Sequence, residues 1–284
     1  VFGKITMRYE ILFAAITFAV TFSLSGCANG RGKTEQAFKC TDHGVGVSSA
    51  PSPATKAAMA DHAAAEKLPL QTLIENANKG EVAAQVELGL RYINGTGVDK
   101  NPKSAVELFR AAAEKNNPLG QFFLGTAYSQ GVELQQSDVV AIELWEKAAR
   151  NGYPNAQFWL GMMIANGYGG IAADWCAAIS LFVAASDQVT DAAFMAGFGF
   201  HEGKFSEPSY EEAAKYYRLA DTLSRKQTGI YNQKARYNLR LMIEEGRVKW
   251  QAGDPGSAPE SNLDGDDKKE MQLHIQDPAV EKTG

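Results

Sequence analysis

Leu88-Gly89-Leu90-Arg91-Tyr92-Ile93-Asn94-Gly95 is the stretch whose reading decides the fold, because it recurs. Leu124-Gly125 with Tyr128 and Gly131 is a second copy, Leu160-Gly161 with Ile164 and Gly167 a third, and Ala196-Gly197 with Phe200 and Gly203 a fourth. A worn fifth reads Leu239-Arg240 with Ile243 and Gly246. The leading glycine returns every 36 residues through the first four copies, and the fifth copy follows after 43. A fixed period of this size marks stacked supersecondary units, each too small to bury its apolar face alone.

Working outward, each unit reads as a helical hairpin. Ala84, Leu88 and Tyr92 recur at i, i+4 and i+8 and share one helix face. Gly89 sits beside them, where glycine costs about 0.5–1 kcal/mol against alanine. Its return at four positions needs a compensation, and close approach of a partner helix is the physical candidate. Gly95, Gly131, Gly167, Gly203 and Gly246 fall where helices end in a left-handed residue. Asn101-Pro102, Ser137-Asp138, Asp174 and Ser209 open the second helices as N-caps, and Ser209 with Glu212 has the form of a capping box. Ala105, Ala141, Ala177 and Ala213, then Ala112, Ala148, Ala184 and Ala220, alternate with Phe109, Trp145, Leu181 and Tyr217. Small residues alternating with bulky knobs describe one hairpin packed on the next.

The pattern Ala-Gln-x-x-Leu-Gly-x-x-Tyr-x-x-Gly, followed by an alanine-rich second helix, resembles the Sel-one-like repeat family, a relative of the tetratricopeptide repeat. Ala84, Gln85, Leu88, Gly89, Tyr92, Gly95, Gly97 and Val98 carry the match in the first unit, and Ala156, Gln157, Leu160 and Gly161 in the third. Gly120, Ala196 and Arg240 depart from it. The resemblance implies an all-α, right-handed alpha-alpha superhelix, or solenoid, over residues 68–250. Its units are expected at about 80–115, 116–151, 152–187, 188–232 and 233–250. Pro69 is expected to start a capping helix that runs to Asn78.

The ends read differently. From Met7, Arg8 precedes an apolar run, Ile11 to Leu24, that ends in Leu24-Ser25-Gly26-Cys27. This resembles a bacterial lipobox, which implies a signal peptide over 1–26, removal before Cys27 and diacylglycerol on its thiol. Ala28 in place of Asp implies, in a Gram-negative cell, an outer-membrane lipoprotein facing the periplasm. Residues 27–67 read as a flexible tether, with a loose helix allowed by propensity from Ala57 to Lys67. With Cys27 lipidated, Cys40 and Cys176 remain; unpaired thiols are the commoner expectation, and a disulfide stays open. Residues 251–284 hold eight acids and three bases and read as an acidic disordered tail.

The formal charge of −5 is thus concentrated in that tail. A near-neutral body lacks the basic footprint of a nucleic-acid partner. No nucleophile elbow, metalloprotease motif, Walker loop or paired-cysteine motif is present. The four histidines lack metal-ligand spacing, so no catalytic residue, metal or cofactor is assigned, and no enzyme is expected. Cysteine-rich members of the resembled family have been described as binding or hydrolysing β-lactams, which makes a peptidoglycan-directed enzyme the alternative; this chain lacks their paired cysteines. A protein partner is the main expectation. In related hairpin repeats the first helices line the concave side. One row there is Val86, Phe122, Phe158, Phe194 and Tyr237; its neighbour is Leu90, Thr126, Met162, Phe198 and Leu241. These rows form either a groove for a peptide or helix or the packing between units. Thr126, Ser129, Gln130, Asn166, His201 and Glu202 would rim the groove.

Overall fold

The computed structural model describes residues 50–204 and 206–255, all helix, turn or coil. The signal segment, Cys27, Cys40 and most of the acidic tail lie outside the described residues. The helices are α1 (Pro53–Ala65), α2 (Leu70–Asn78), α3 (Val82–Asn94), α4 (Pro102–Glu114), α5 (Pro118–Gln130), α6 (Asp138–Arg150), α7 (Pro154–Asn166), α8 (Trp175–Ala185), α9 (Thr190–His201), α10 (Tyr210–Thr228) and α11 (Gln233–Glu244). Four hairpins, α3/α4, α5/α6, α7/α8 and α9/α10, stack in order, because each second helix also packs on the first helix of the following unit. The result is a solenoid with a continuous core.

Local sequence sets the boundaries. Asn101, Ser137 and Asp174 accept hydrogen bonds from the first free N–H groups of α4, α6 and α8. Pro118 and Pro154 open α5 and α7, where proline's missing donor costs nothing. Gly95, Gly131 and Gly167 close the first helices with φ near +70°. Ser209 makes no side-chain bond into α10, so the expected capping box does not close.

The mid-helix glycines meet the rings of their own hairpin. A Cβ on Gly89 would lie 2.6 Å from Phe109, one on Gly125 2.8 Å from Trp145, one on Gly161 2.8 Å from Phe182 and one on Gly197 2.7 Å from Tyr217. Each ring fills the notch left by the missing side chain. Trp145 cannot retreat, because its indole N–H donates to the Phe122 carbonyl at 3.1 Å. In the fifth unit Arg240 takes the glycine position, and no second helix follows among the described residues to crowd it. The glycine is lost where its physical reason is lost.

The third unit departs from the expected register. Burial falls on Ala178, Phe182 and Ala185, one residue beyond Ala177, Leu181 and Ala184 in the repeat alignment, although Leu181 is buried as well. A 3₁₀ turn at Tyr168–Gly170, with Gly169 and Gly170 both at positive φ, takes up the extra residue. Helix α8 has 11 residues against 13 in α4 and α6, so the next unit returns to step. The constant glycine interval conceals this slip.

The packed body also begins before the expected cap. Within the stretch read as tether, α1 is a 13-residue helix that lies against α3 and α5. Thr55, His62 and Ala65 are buried and Met59 half-buried, a stripe at helical spacing. The Thr55 hydroxyl donates to the Asn151 carbonyl at 2.6 Å, and the Ser52 N–H donates to the same oxygen. The chain thus enters α1 at the C-terminal end of α6, in the second unit. Cys176 is disulfide-bonded, which corrects the expectation of unpaired thiols.

Gly125→Ala is expected to destabilise the protein by about 1–3 kcal/mol through overpacking against Trp145, although alanine is the better helix former. Arg240→Ala, at the same repeat position where no second helix follows among the described residues, is expected to stay within about 0.5 kcal/mol. Chemical denaturation of the two variants checks the contrast.

Candidate protein-interaction face

The five first helices, α3, α5, α7, α9 and α11, place the two expected rows in register, and burial separates the members. Val86, Phe122 and Phe158 are 1%, 7% and 5% exposed. Phe122 packs between Trp145 of its own unit, with ring centres 6.5 Å apart, and Tyr153 of the next, at 5.3 Å. Phe158 meets Phe182 at 6.1 Å. These three residues belong to the packing between helices and offer no free face, so the groove reading is corrected at these positions. The cause is geometric: in the first three units this row points into the seam where a second helix and the next hairpin close over it.

The row emerges toward the other end. Phe194 is half-buried against Tyr217, and Tyr237 is 63% exposed, with no hairpin following α11 among the described residues. In the second row Met162 is buried, whereas Leu90, Thr126, Phe198 and Leu241 are half-buried. Phe198 lies beside Trp175 at 6.1 Å, with the Lys204 ammonium 5.6 Å above its ring. On α9 and α11, then, Phe194, Phe198 and Leu241 are half-buried and Tyr237 is exposed.

The expected polar rim is largely engaged internally. The Thr126 hydroxyl donates to the Phe122 carbonyl and the Asn166 amide to the Met162 carbonyl, both one turn back on their own helices. His201 Nδ1 is 3.3 Å from the Tyr217 hydroxyl, and the oxygen of that hydroxyl accepts from the Asn238 amide at 3.0 Å. Burial pushes the Tyr217 hydroxyl pKa well up, so this hydroxyl stays protonated and joins α9, α10 and α11 as a structural node. Glu202 caps α9 and Ser129 is half-buried beside exposed Gln130, at the far end of α5.

Sequence reasoning missed the covering of α3 and α5 by α1. There Arg91 Nε donates to Glu87 at 2.7 Å, and its Nη2 reaches the carbonyls of Glu66 and Leu68 at 3.0 and 3.3 Å. His62 of α1 sits 3.4 Å from the other oxygen of Glu87. The available signal was the spacing of Thr55, Met59, His62 and Ala65 within an alanine-rich run.

Comparison with known proteins agrees with this architecture. The Sel1 repeat family model matches residues 82–117, 118–153, 154–188 and 190–220; the matches follow the four hairpins, the last ending within α10. A search of curated proteins returns no match. Among solved structures, a protective antigen of uropathogenic Escherichia coli strains, displaying an SLR fold, is 30% identical with a TM-score of 0.56. The alignment covers 63% of this chain and 37% of the antigen, so the chain spans well under half of that protein's length. A Sel1 repeat protein from Oxalobacter formigenes, 24% identical over 63% of this chain and 77% of its own, has a TM-score of 0.52 and shares the fold. Residues 82–220 are four Sel1 repeats, and the chain is a Sel1 repeat protein.

Proposed function

We propose that the protein is a lipid-anchored scaffold of the cell envelope that binds a polypeptide partner and carries out no chemistry of its own. The observation that carries the reading is the emergence of the aromatic row: buried in the first three units, it reaches solvent at α9 and α11. Phe194, Phe198, Tyr237 and Leu241 then present apolar side chains at matched positions on successive first helices, a surface suited to an amphipathic helix or extended segment. Membership among Sel1 repeat proteins supports the same reading at its coarser level, a repeat scaffold for protein–protein interaction.

The anchor is the diacylglycerol expected on Cys27, and the setting is the periplasmic face of the outer membrane. The disulfide at Cys176 supports an oxidising compartment. No helix among the described residues is long and apolar enough to cross a membrane.

A photo-crosslinker at position 237 is expected to capture a defined partner in cells, and Phe198→Ala is expected to reduce that capture. The same crosslinker at exposed Val139 serves as the reference surface. Equal capture from both positions would remove α9 and α11 as the binding strip. Phe158→Ala is expected to cost about 3–5 kcal/mol of stability, readable in denaturant melts, whereas Tyr237→Ala stays within about 0.5 kcal/mol. Cys27→Ser is expected to move the protein from the membrane fraction to the soluble fraction; unchanged fractionation would refute the anchor.

A further inference from the structure

His62, Glu66 and Glu87 converge where the C-terminal end of α1 lies on α3. His62 and Glu66 are four residues apart and so share one helical face, while Glu87 approaches from α3. One donor atom from each residue can be chosen so that all three lie within 4.8 Å of one another. His62 and Glu87 are each 8% exposed. His62 Nε2 is fully buried and makes no hydrogen bond, although Glu87 Oε2 is only 3.4 Å away. A buried imidazole nitrogen left without a hydrogen bond needs an explanation. A tetrahedral cation with N and O ligands at about 2.0–2.2 Å separates its ligand atoms by about 3.3–3.6 Å. The spacing of Nε2 and Oε2 is the edge of such a tetrahedron.

We propose that His62, Glu66 and Glu87 form a binding site for a divalent cation of the Zn²⁺ class, which pins α1 to α3. The donor set, one imidazole and two carboxylates, is the one such cations take, with a fourth position left for water. Arg91 completes the outer layer: it holds Glu87 through Oε1 at 2.7 Å and leaves Oε2 turned toward His62. The Glu66 side chain is 45% exposed, and its side of the cluster is the entry path. His62 Nδ1 lies 3.9 Å from Glu66 Oε1, so the Glu66 carboxylate swings toward Nε2 when the cation arrives.

The consequence is local order. Helix α1 has only a narrow buried stripe and exposes most of its alanines, so its hold on α3 and α5 rests on few contacts. A cation shared between α1 and α3 ties the segment ahead of the repeats onto their first helices. This inference is independent of the binding strip on α9 and α11.

The test is calorimetric titration of Zn²⁺ into the chelator-stripped full chain, beside Glu66→Gln and His62→Ala. The parent is expected to bind one Zn²⁺ at this site, Glu66→Gln to bind it about tenfold or more weakly, and His62→Ala to lose it. Zn²⁺ is also expected to slow trypsin cleavage after Lys67 in the parent and not in Glu66→Gln. Should His62→Ala fail to fold, the exposed Glu66 variant carries the comparison. No Zn²⁺ uptake by the parent, or equal uptake by parent and Glu66→Gln, would overturn the site and leave the direct contacts of His62 with the two carboxylates as the link.

Discussion

The fit of an aromatic ring into a helix that lacks a Cβ is the constraint on which the rest of this structure depends. Phe109, Trp145, Phe182 and Tyr217 each lie in the notch of a glycine on the facing helix. The notch brings the two helices close, and close helices leave little room between hairpins, so the next unit must follow at a fixed spacing. Buried alanines at the neighbouring positions serve the same end. Glycine's cost in a helix is offset by the burial of a large ring, for which a scale of about 25 cal/mol per Å² applies. The arrangement repeats because each hairpin is unstable alone and each new hairpin presents the same face to its successor.

Function follows from where this repetition stops. A row that faces a following unit is a core row, and the same row at the last helix is a surface. Tyr237 occupies the position of Phe158, yet one is exposed and the other buried. The difference lies in what comes next along the chain. At the opposite end α1 covers α3 and α5, so the two ends of the array are not equivalent. Among the described residues the chain itself covers α3 and α5 and leaves Tyr237 of α11 exposed.

Much of this was legible in the residues. The mid-helix glycines demanded a close neighbour, the end glycines demanded left-handed turns, and both demands are met. The knob of the third unit was misplaced by one residue because Gly169-Gly170 lengthens a loop while α8 shortens, and the glycine interval registers neither change. The face of Phe122 and Phe158 could not be decided from type, since a phenylalanine suits a groove and a seam equally. Only the position of the neighbouring hairpin separates the two. Helix α1 was legible only as a loose helix from Ala57 to Lys67, and its docking escaped notice because its buried stripe mixes Thr55 and His62 with Met59 and Ala65, so no apolar period stood out. The disulfide at Cys176 was undecidable for the same reason: spacing along the chain does not fix distance across the fold.

The notch account is tested most directly by amide hydrogen exchange resolved along the native chain. It predicts that α5 and α7, each closed by a ring in its glycine notch, exchange more slowly than α11, which has Arg240 at that repeat position and no following hairpin among the described residues. Protection in α11 equal to that in α5 and α7 would contradict it, because the helices would then owe their stability to something other than the ring in the notch.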